Sequence, residues 1–418
     1  MNVLNSFVIT IPDDRKNILY NTYSNCIVSI GLDQLDGNSI VNMSQTEIDW
    51  LHKKEFFKSD EELIAQIRRF RKEYRDILHI IVAFTQRCNF NCPYCSQNDS
   101  KKNDAISFET IDCTIEYIKN VVENKGFERV SIDFFGGEPL LEKNMIFYLK
   151  TRLEEVVDSE NIEWMIETNG SLLDQSFLMH FSKLVVTVPI TSKIDHEMNR
   201  PFINGRGSFE RIIKNLVDCN TLFNDNITLN LRYNVNGGNY NQLGSFLSFV
   251  KGLKLNVENI ILAYIKEMNY NPFKNNLTLN QYSFLYSGQF TDLLMENGFK
   301  VWFPSPHKNA CMRYSPYSIK VYPDGKIGMC NAQINSACDV TIFDVCSDVD
   351  LIGKLIPEKN EDVIDDECSK CRFLLFCGGK YACRSDNYCG FSDFDLEMFI
   401  RRYVDECGRG NGNCFRMK

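Results

Sequence analysis

Histidine is scarce in this chain, five among 418 residues, and none stands in a zinc-type spacing such as H-x-x-x-H. Basic runs are missing too. No stretch of Lys and Arg exceeds a few positions, and the formal net charge is -9. An acidic surface repels backbone phosphates and anionic headgroups, which argues against nucleic acid or an acidic membrane as the main partner. Long apolar stretches are also lacking. ILHIIVAF (77–84) and VENIILAYI (257–265) have the length of strands, far short of the roughly 20 residues a bilayer requires. The opening MNVLNSFVITIPDD has no basic region followed by a long apolar stretch. No secretion signal is therefore expected, and the chain reads as cytoplasmic. Sequence repeats and low-complexity tracts are absent as well.

Cysteine is what the chain has in excess: seventeen, unevenly placed. Without an export signal a disulfide framework is disfavoured, and metal or redox chemistry takes its place. Three cysteines lie in TQRCNFNCPYCSQ (85–97), eleven lie from Cys311 to Cys414, and Cys26, Cys113 and Cys219 stand alone. The isolated three read as small buried hydrophobes.

At this length two or three domains are expected. Residues 1–76 form one candidate unit. The β-rich runs 7–11, 18–22 and 26–30 precede two helix starts, Ser44 with Glu47 and Ser59 with Glu62, each at capping-box spacing. Leu63, Ile67 and Phe70 fall on one face of the second helix. A winged-helix-like module is the expectation. Residues 77–300 alternate strand and helix. Strands are expected near 78–84, 129–135, 162–168, 184–190, 227–235 and 257–265, with helices near 107–124, 142–157, 174–182, 207–220 and 240–252. That pattern predicts an α/β fold with a parallel sheet, a partial (β/α)6 TIM-like barrel whose active residues gather at the carboxyl ends of the strands. Over 301–418 the alternation stops and cysteines dominate, as in a region organised by metal rather than by core volume.

Cys88, Cys92 and Cys95 follow the first barrel strand directly. Tetrahedral zinc and ordinary iron–sulfur clusters want four protein ligands. Three thiolates on a [4Fe–4S] cube leave one iron open, and an open position is how a catalytic metal site accepts a ligand. The bland alternative is a zinc knuckle that borrows its fourth ligand elsewhere. The scarcity of histidine weakens it.

This CxxxCxxC, ending the first strand of a partial barrel and with Tyr94 before its third cysteine, resembles the radical S-adenosylmethionine (radical SAM) superfamily. The resemblance implies that SAM chelates the open iron and is split reductively to a 5′-deoxyadenosyl radical that abstracts a substrate hydrogen. FFGGEPLL (134–141) resembles the family's GGE motif, which binds the SAM amino group, here through Gly136, Gly137 and Glu138, followed by Pro139. Two glycines permit close backbone approach to a ligand. In ETNG (167–170), Thr168 and Asn169 are candidates for the SAM ribose. DHEMNRPFINGRGSFERI (195–212) is similar to the segment whose arginine, here Arg200, pairs with the SAM carboxylate. The preceding TVPITSK departs from the usual Ser-hydrophobic-Asp-Gly pattern.

Near the C-terminus, Cys311, Gly325 and Cys330 give C-x13-G-x4-C, and CSKCRFLLFCGGKYAC supplies Cys368, Cys371, Cys377 and Cys383, followed by Cys389. This resembles the SPASM extension of radical SAM enzymes, although the CGGxC step is two residues longer here. Two auxiliary [4Fe–4S] clusters are implied, one on Cys311, Cys330 and Cys383, the other on Cys368, Cys371, Cys377 and Cys389. The first then lacks a fourth ligand. Either Cys338 or Cys346 fills it, or it stays open to a substrate thiolate. Cys407 and Cys414 are left as substitutes for Cys389 or as spare thiols.

SPASM proteins mostly modify peptides. The β-β-β-helix-helix order of residues 1–76 resembles the element that maturases of ribosomally made peptides use to hold a leader peptide by strand addition. The alternative for that module is a cap over the barrel mouth. The leading expectation is a peptide maturase that forms a thioether or carbon–carbon crosslink or a related side-chain change, with flavodoxin or ferredoxin as electron donor. An anaerobic sulfatase-maturing enzyme comes second, because that branch carries an acid after the second SPASM cysteine where this chain has Asn331. A non-catalytic iron–sulfur electron carrier is the third reading, and it leaves the GGE turn and the three-cysteine loop idle.

Overall fold

The computed structural model describes residues 2–74, 76–95, 97, 104–265, 276–303, 312, 315–330, 339–356, 364–377, 396–408 and 415–417. Cys311, Asn331, Cys338, Cys383, Cys389 and Cys414 lie outside the described residues, as do the side chains of Cys377 and Cys407.

The N-terminal segment opens with three antiparallel strands, β1 (Val8–Pro12), β2 (Asn17–Asn21) and β3 (Cys26–Ile30). A short hairpin follows, β4 (Leu35–Asp36) with β5 (Ser39–Ile40). Ser44 starts α1 (Gln45–Lys53) with a reciprocal capping box: its backbone N–H donates to the Glu47 carboxylate at 2.8 Å and its hydroxyl accepts from the Glu47 N–H. Ser59 caps α2 (Asp60–Glu73) by accepting from the Glu62 N–H at 3.3 Å. Such caps contribute about 1 kcal/mol each. Leu63, Ile64 and Ile67 of α2 are buried, but Phe70 is not. It turns out of the expected stripe and lies 5.4 Å from the Tyr74 ring at the helix end.

The main sheet is assembled from β6 (Ile77–Thr85), β7 (Arg129–Gly136), β8 (Ile162–Glu167), β9 (Leu184–Pro189), β10 (Ile227–Val235) and β11 (Val257–Tyr264). These lie within two residues of the six expected strands. Between them run α3 (Phe108–Lys125), α4 (Lys143–Glu154), α5 (Gln175–Leu178), α6 (Lys193–Asn199), α7 (Phe209–Cys219) and α8 (Leu243–Leu253). α5 is a single turn, much shorter than expected, and α6 was not anticipated. Next come α9 (Leu279–Leu285), a π-helical turn at Tyr286–Phe290, and α10 (Thr291–Glu296), followed by β12 (Val301–Phe303). β13 (Ile319–Val321) and β14 (Ile327–Gly328) then join the main sheet, whose order is β11-β10-β9-β8-β7-β6-β13-β14. All neighbours are parallel except β13 and β14. The sheet thus has two strands beyond the expected six, both supplied from past residue 300. Their brevity and the lysine at position 320 hide them from a search for apolar runs.

Because the six strands run in sequential order and crossovers are right-handed, the helices cover one face of the sheet. Val130, Ile132 and Phe134 of β7 and Leu229, Leu231 and Tyr233 of β10 are buried there in one continuous core. Strand alternation sends Ser131, Asp133 and Phe135, and Asn230, Arg232 and Asn234, to the opposite, inner face. Past the sheet lie α11 (Ile342–Val345), α12 (Leu351–Leu355), α13 (Leu374–Cys377), α14 (Leu396–Gly408) and β15 (Phe415–Met417), the last paired with β12. The N-terminal segment packs on this part of the chain. Phe7, Leu63, Ile64 and Ile67 share a core with Ile364, Leu374 and Leu375, and Arg68 donates to the Ile364 carbonyl at 2.9 Å.

Candidate functional site

The cysteine loop leaves the carboxyl end of β6 and is pinned on two sides. On one side, Gly137 N–H donates to the Thr85 carbonyl at 2.8 Å and Glu138 N–H to the Arg87 carbonyl at 2.9 Å. A Cβ at Gly136 would sit 2.4 Å from the Thr85 oxygen, and one at Gly137 2.2 Å from the Arg87 oxygen. Gly136 also has a φ of +139°, a region that side chains rarely adopt. Sequence reasoning assigned the two glycines to close approach of a ligand. The geometry gives a nearer cause: they let the turn after β7 lie against the loop that carries the cysteines. On the other side, Asn91 N–H donates to the Pro201 carbonyl at 2.9 Å and Ile203 N–H to the Asn89 carbonyl at 3.0 Å, while the Phe90 and Phe202 rings meet edge to face at 5.0 Å.

The thiols are partly or wholly withdrawn from solvent, Cys92 most of all. Phe90 N–H approaches the Cys88 sulfur at 3.4 Å and Gln97 N–H the Cys95 sulfur at 3.4 Å. The Asn169 amide lies 3.9 Å from the Cys88 sulfur. Burial, with Glu138, Cys92 and Cys95 adding to it, pushes the Cys88 thiol up to about 11 against the Phe90 N–H. A bound cation reverses that balance, since coordination deprotonates a thiol outright. N–H groups directed at cysteine sulfurs are contacts of the kind that tune an iron–sulfur cluster.

Glu138 is fully buried. Its carboxylate accepts from Leu140 N–H at 3.0 Å, Thr168 Oγ1 at 2.7 Å and Asn169 N–H at 2.7 Å. Burial raises its pKa, and those three bonds oppose the rise. Glu138 therefore ties the end of β7 to the end of β8. Thr168 spends its hydroxyl on this carboxylate. Asn169 turns its side chain to the cysteine loop, donating to Asn89 Oδ1 at 2.7 Å and accepting from Ser171 N–H at 2.9 Å. Both residues expected at a ribose are thus engaged in holding the loops together.

Arg200, at the end of α6, is buried with its guanidinium 5.6 Å from the Phe90 ring centroid. It donates to Tyr94 Oη at 3.0 Å, and Asn234 of the inner face donates to the same oxygen at 3.3 Å. Its Nε is buried and meets no acceptor among the described residues. A buried donor left without a partner costs about 1–3 kcal/mol, so the guanidinium fits an anionic group brought in by a ligand. Behind it, His196 Nε2 lies 3.0 Å from Ser208 Oγ, which donates to the Arg200 carbonyl at 2.6 Å. Burial, and secondarily Arg200, hold His196 well below its usual range, so it is neutral.

Sequence reasoning missed the charged residues of the inner face. Asp133 on β7, Glu167 at the end of β8, Arg232 on β10 and Lys320 on β13 all point there. The signal was available, since each is a charge inside an otherwise apolar or β-rich strand. Cys330 follows β14, near Lys320. Cys346 lies elsewhere. It is buried beside Cys113 of α3, whose thiol is pushed up to about 12 by burial and by Cys346, and Asn120 of the same helix donates to its carbonyl at 2.7 Å. Two residues read as unrelated in the sequence are therefore neighbours on the helical side of the sheet. Cys368 and Cys371 bracket one 3-10 turn, with Cys371 N–H donating to the Cys368 carbonyl at 3.1 Å.

Residues 82–250 match the Radical SAM superfamily model, so the chain carries a radical SAM domain, the domain of an enzyme superfamily. Over 149 residues it is 29% identical to the radical SAM cyclopropyl synthase TigE of Paramaledivibacter caminithermalis, covering 33% of this chain and 31% of that protein. The chain spans less than half the length of the first curated relatives it matches. Its fold is similar to that of anSMEcpe, solved with bound AdoMet and Cp18Cys peptide, with a TM-score of 0.60 at 17% identity over 80% of this chain and 99% of the other. It is also similar to Streptococcus suis SuiB bound to S-adenosylmethionine, with a TM-score of 0.54 at 16% identity over 94% and 100% of the two chains. No described helix is long and apolar enough to cross a membrane.

Proposed function

We propose that the chain is a radical SAM/SPASM peptide maturase that splits SAM reductively and installs a thioether or carbon–carbon crosslink, or a related side-chain change, on a ribosomally made precursor. The observation that carries the reading is the meeting of three elements at one sheet edge: the Cys88–Cys92–Cys95 loop, the Gly136–Glu138 turn locked against it, and a buried Arg200 whose Nε lacks an acceptor. Cys88, Cys92 and Cys95 would hold a [4Fe–4S] cluster, and Arg200 would receive the SAM carboxylate. The cluster with SAM bound supplies one-electron reduction of a sulfonium and hence a carbon radical.

The protein's own share is to hold. Phe90 packs edge to face on Phe202 beneath the loop, Tyr94 holds Arg200, and Glu138 fixes the strand ends from which the loops depart. Cys330, Cys368, Cys371 and Cys377, with Cys311, Cys383 and Cys389, are assigned to two auxiliary clusters. The three-stranded N-terminal sheet is assigned to the leader of the precursor, and flavodoxin or ferredoxin to electron supply. A peptide substrate is in keeping with the peptides bound in anSMEcpe and with SuiB solved on its precursor peptide SuiA.

Incubating the reduced, reconstituted protein with SAM tests the reading. Release of 5′-deoxyadenosine is expected, and a pure electron carrier gives none above background. Co-expression with a small precursor encoded beside the gene, read by mass spectrometry against a sulfatase peptide, separates a crosslinking maturase from a sulfatase-maturing enzyme.

A further inference from the structure

Directly beneath the cysteine loop the inner face of the sheet carries charges that the cofactor reading does not use. Asp133 is opposite Ile81 of β6, and Lys320 is opposite the same residue from the other side. The two therefore flank one position of the central strand. Two residues further along, Phe135 and Glu167 immediately precede Gly136 and Thr168, the residues that build the site above. The Lys320 ammonium lies over the Phe135 ring at 4.4 Å. Arg232 reaches across β9 to the Glu167 carboxylate at 3.5 Å. Two acids and two bases thus line one wall.

Within this wall two atoms are unmet. Asp133 is 9% exposed, and its buried Oδ1 has no hydrogen-bond partner among the described residues. Arg232 Nε is likewise buried and without an acceptor. A buried acceptor and a buried donor left unsatisfied are expensive for folding alone and are retained where something else completes them. Arg232 already pairs with Glu167, and burial, with Glu167 adding to it against Lys320, holds the Asp133 carboxyl well above its usual range and so towards its neutral form, which takes a neutral partner more readily than a charged one. A neutral group that both donates and accepts suits the wall best.

We propose that this inner wall recognises a neutral amide or hydroxyl side chain of the substrate peptide, with Asp133 as the residue that sets the specificity. The proposal rests on the maturase reading for its substrate class. A site built to hydrogen-bond its ligand discriminates strongly against the analogue that lacks the group, because its own polar atoms are then left unpaired.

The test uses the full, cluster-reconstituted chain, immobilised and exposed to a positional-scanning hexapeptide library, with retained peptides sequenced by mass spectrometry. Wild type is expected to enrich Asn, Gln, Ser or Thr over Leu at one position by about tenfold or more. Asp133→Leu should erase the enrichment. Asp133→Asn, close in shape and still an acceptor, should reduce it several-fold, and it decides the matter if thermal melting shows the leucine variant unfolded. Absence of enrichment in wild type, enrichment of charged residues instead, or an unchanged profile in the folded variants overturns the proposal. Release of 5′-deoxyadenosine by the same wild-type preparation keeps the two readings apart. Release without enrichment sinks the recognition site alone, and enrichment without release sinks the maturase chemistry alone.

Discussion

The cysteines after β6 hang from a strand bonded to neighbours on both sides, and their loop is clamped between the turn after β7 and the segment after α6. Cys368 and Cys371, by contrast, hang from a 3-10 turn and a single turn of helix, α13, whose Leu374 and Leu375 lean on α2 of the N-terminal segment. The first region is held by ladder hydrogen bonds and a large core, independent of any bound group. The second has a small core shared with α2, and on the proposed auxiliary-cluster reading metal supplies the free energy that shapes it. On that reading the difference separates a site preorganised for a cofactor from one that the cofactor organises.

The sharpest way to break this contrast is to remove a loop thiol. Replacing Cys88, Cys92 or Cys95 with Ala is expected to abolish SAM cleavage, a loss of about a thousandfold or more, while leaving the melting of the sheet largely in place. Detectable 5′-deoxyadenosine from any of the three variants would remove the central assignment. Next in size is a pair of variants in the second region. Cys371→Ala should stop product formation while sparing some uncoupled SAM cleavage, and should lower the iron bound per chain. Cys346→Ala, beside Cys113 rather than among the cluster thiols, should leave iron unchanged. If the two variants lose iron equally, the division drawn between these cysteines is wrong.

Gly137→Ala probes the clamp itself. Its Cβ would come within 2.2 Å of the Arg87 carbonyl, a backbone atom that has no room to swing aside. A displacement of about 1 Å in a reacting geometry costs on the order of a hundredfold. SAM cleavage should fall by about that factor while the iron bound at the loop falls less. An alanine variant with full activity would show that the two loops are not rigidly coupled.

Much of this arrangement was legible beforehand because β6 and β7 are buried on both faces while the later strands alternate buried with more exposed residues, so each appears as a β-rich run bounded by turns. The cysteine, GGE and ETNG stretches were legible because they sit just past those runs. What escaped had physical reasons. β13 is three residues long and carries Lys320, whose burial lowers its pKa to about 8 and whose charge masks a strand. Asp133 was read past because its neighbours in SIDFFG are apolar, although alternation alone sends it to the face opposite Ile132 and Phe134. Phe70 was assigned to the core by helical spacing, yet it lies in the last turn of α2 and remains 37% exposed. Spacing records which residues share a face but not where the partner surface ends.

The mildest expected effect concerns Arg200, and it separates charge from shape. Its guanidinium already donates to Tyr94, so part of its value is structural, and on the proposed reading the unmet Nε serves the SAM carboxylate. Arg200→Gln removes the charge and should weaken SAM binding about tenfold to a hundredfold, in the range of a lost charge-assisted hydrogen bond. Arg200→Lys keeps the charge but not the planar fork, so it should recover part of that loss. Tyr94→Phe removes the internal bond without touching Nε. If Tyr94→Phe weakens SAM binding as much as Arg200→Gln does, the arginine acts by bracing the loop and not by meeting the carboxylate. Binding measured by calorimetry on the oxidised, non-turning-over protein distinguishes the two, because a bracing defect also lowers the melting temperature and a lost ligand contact does not.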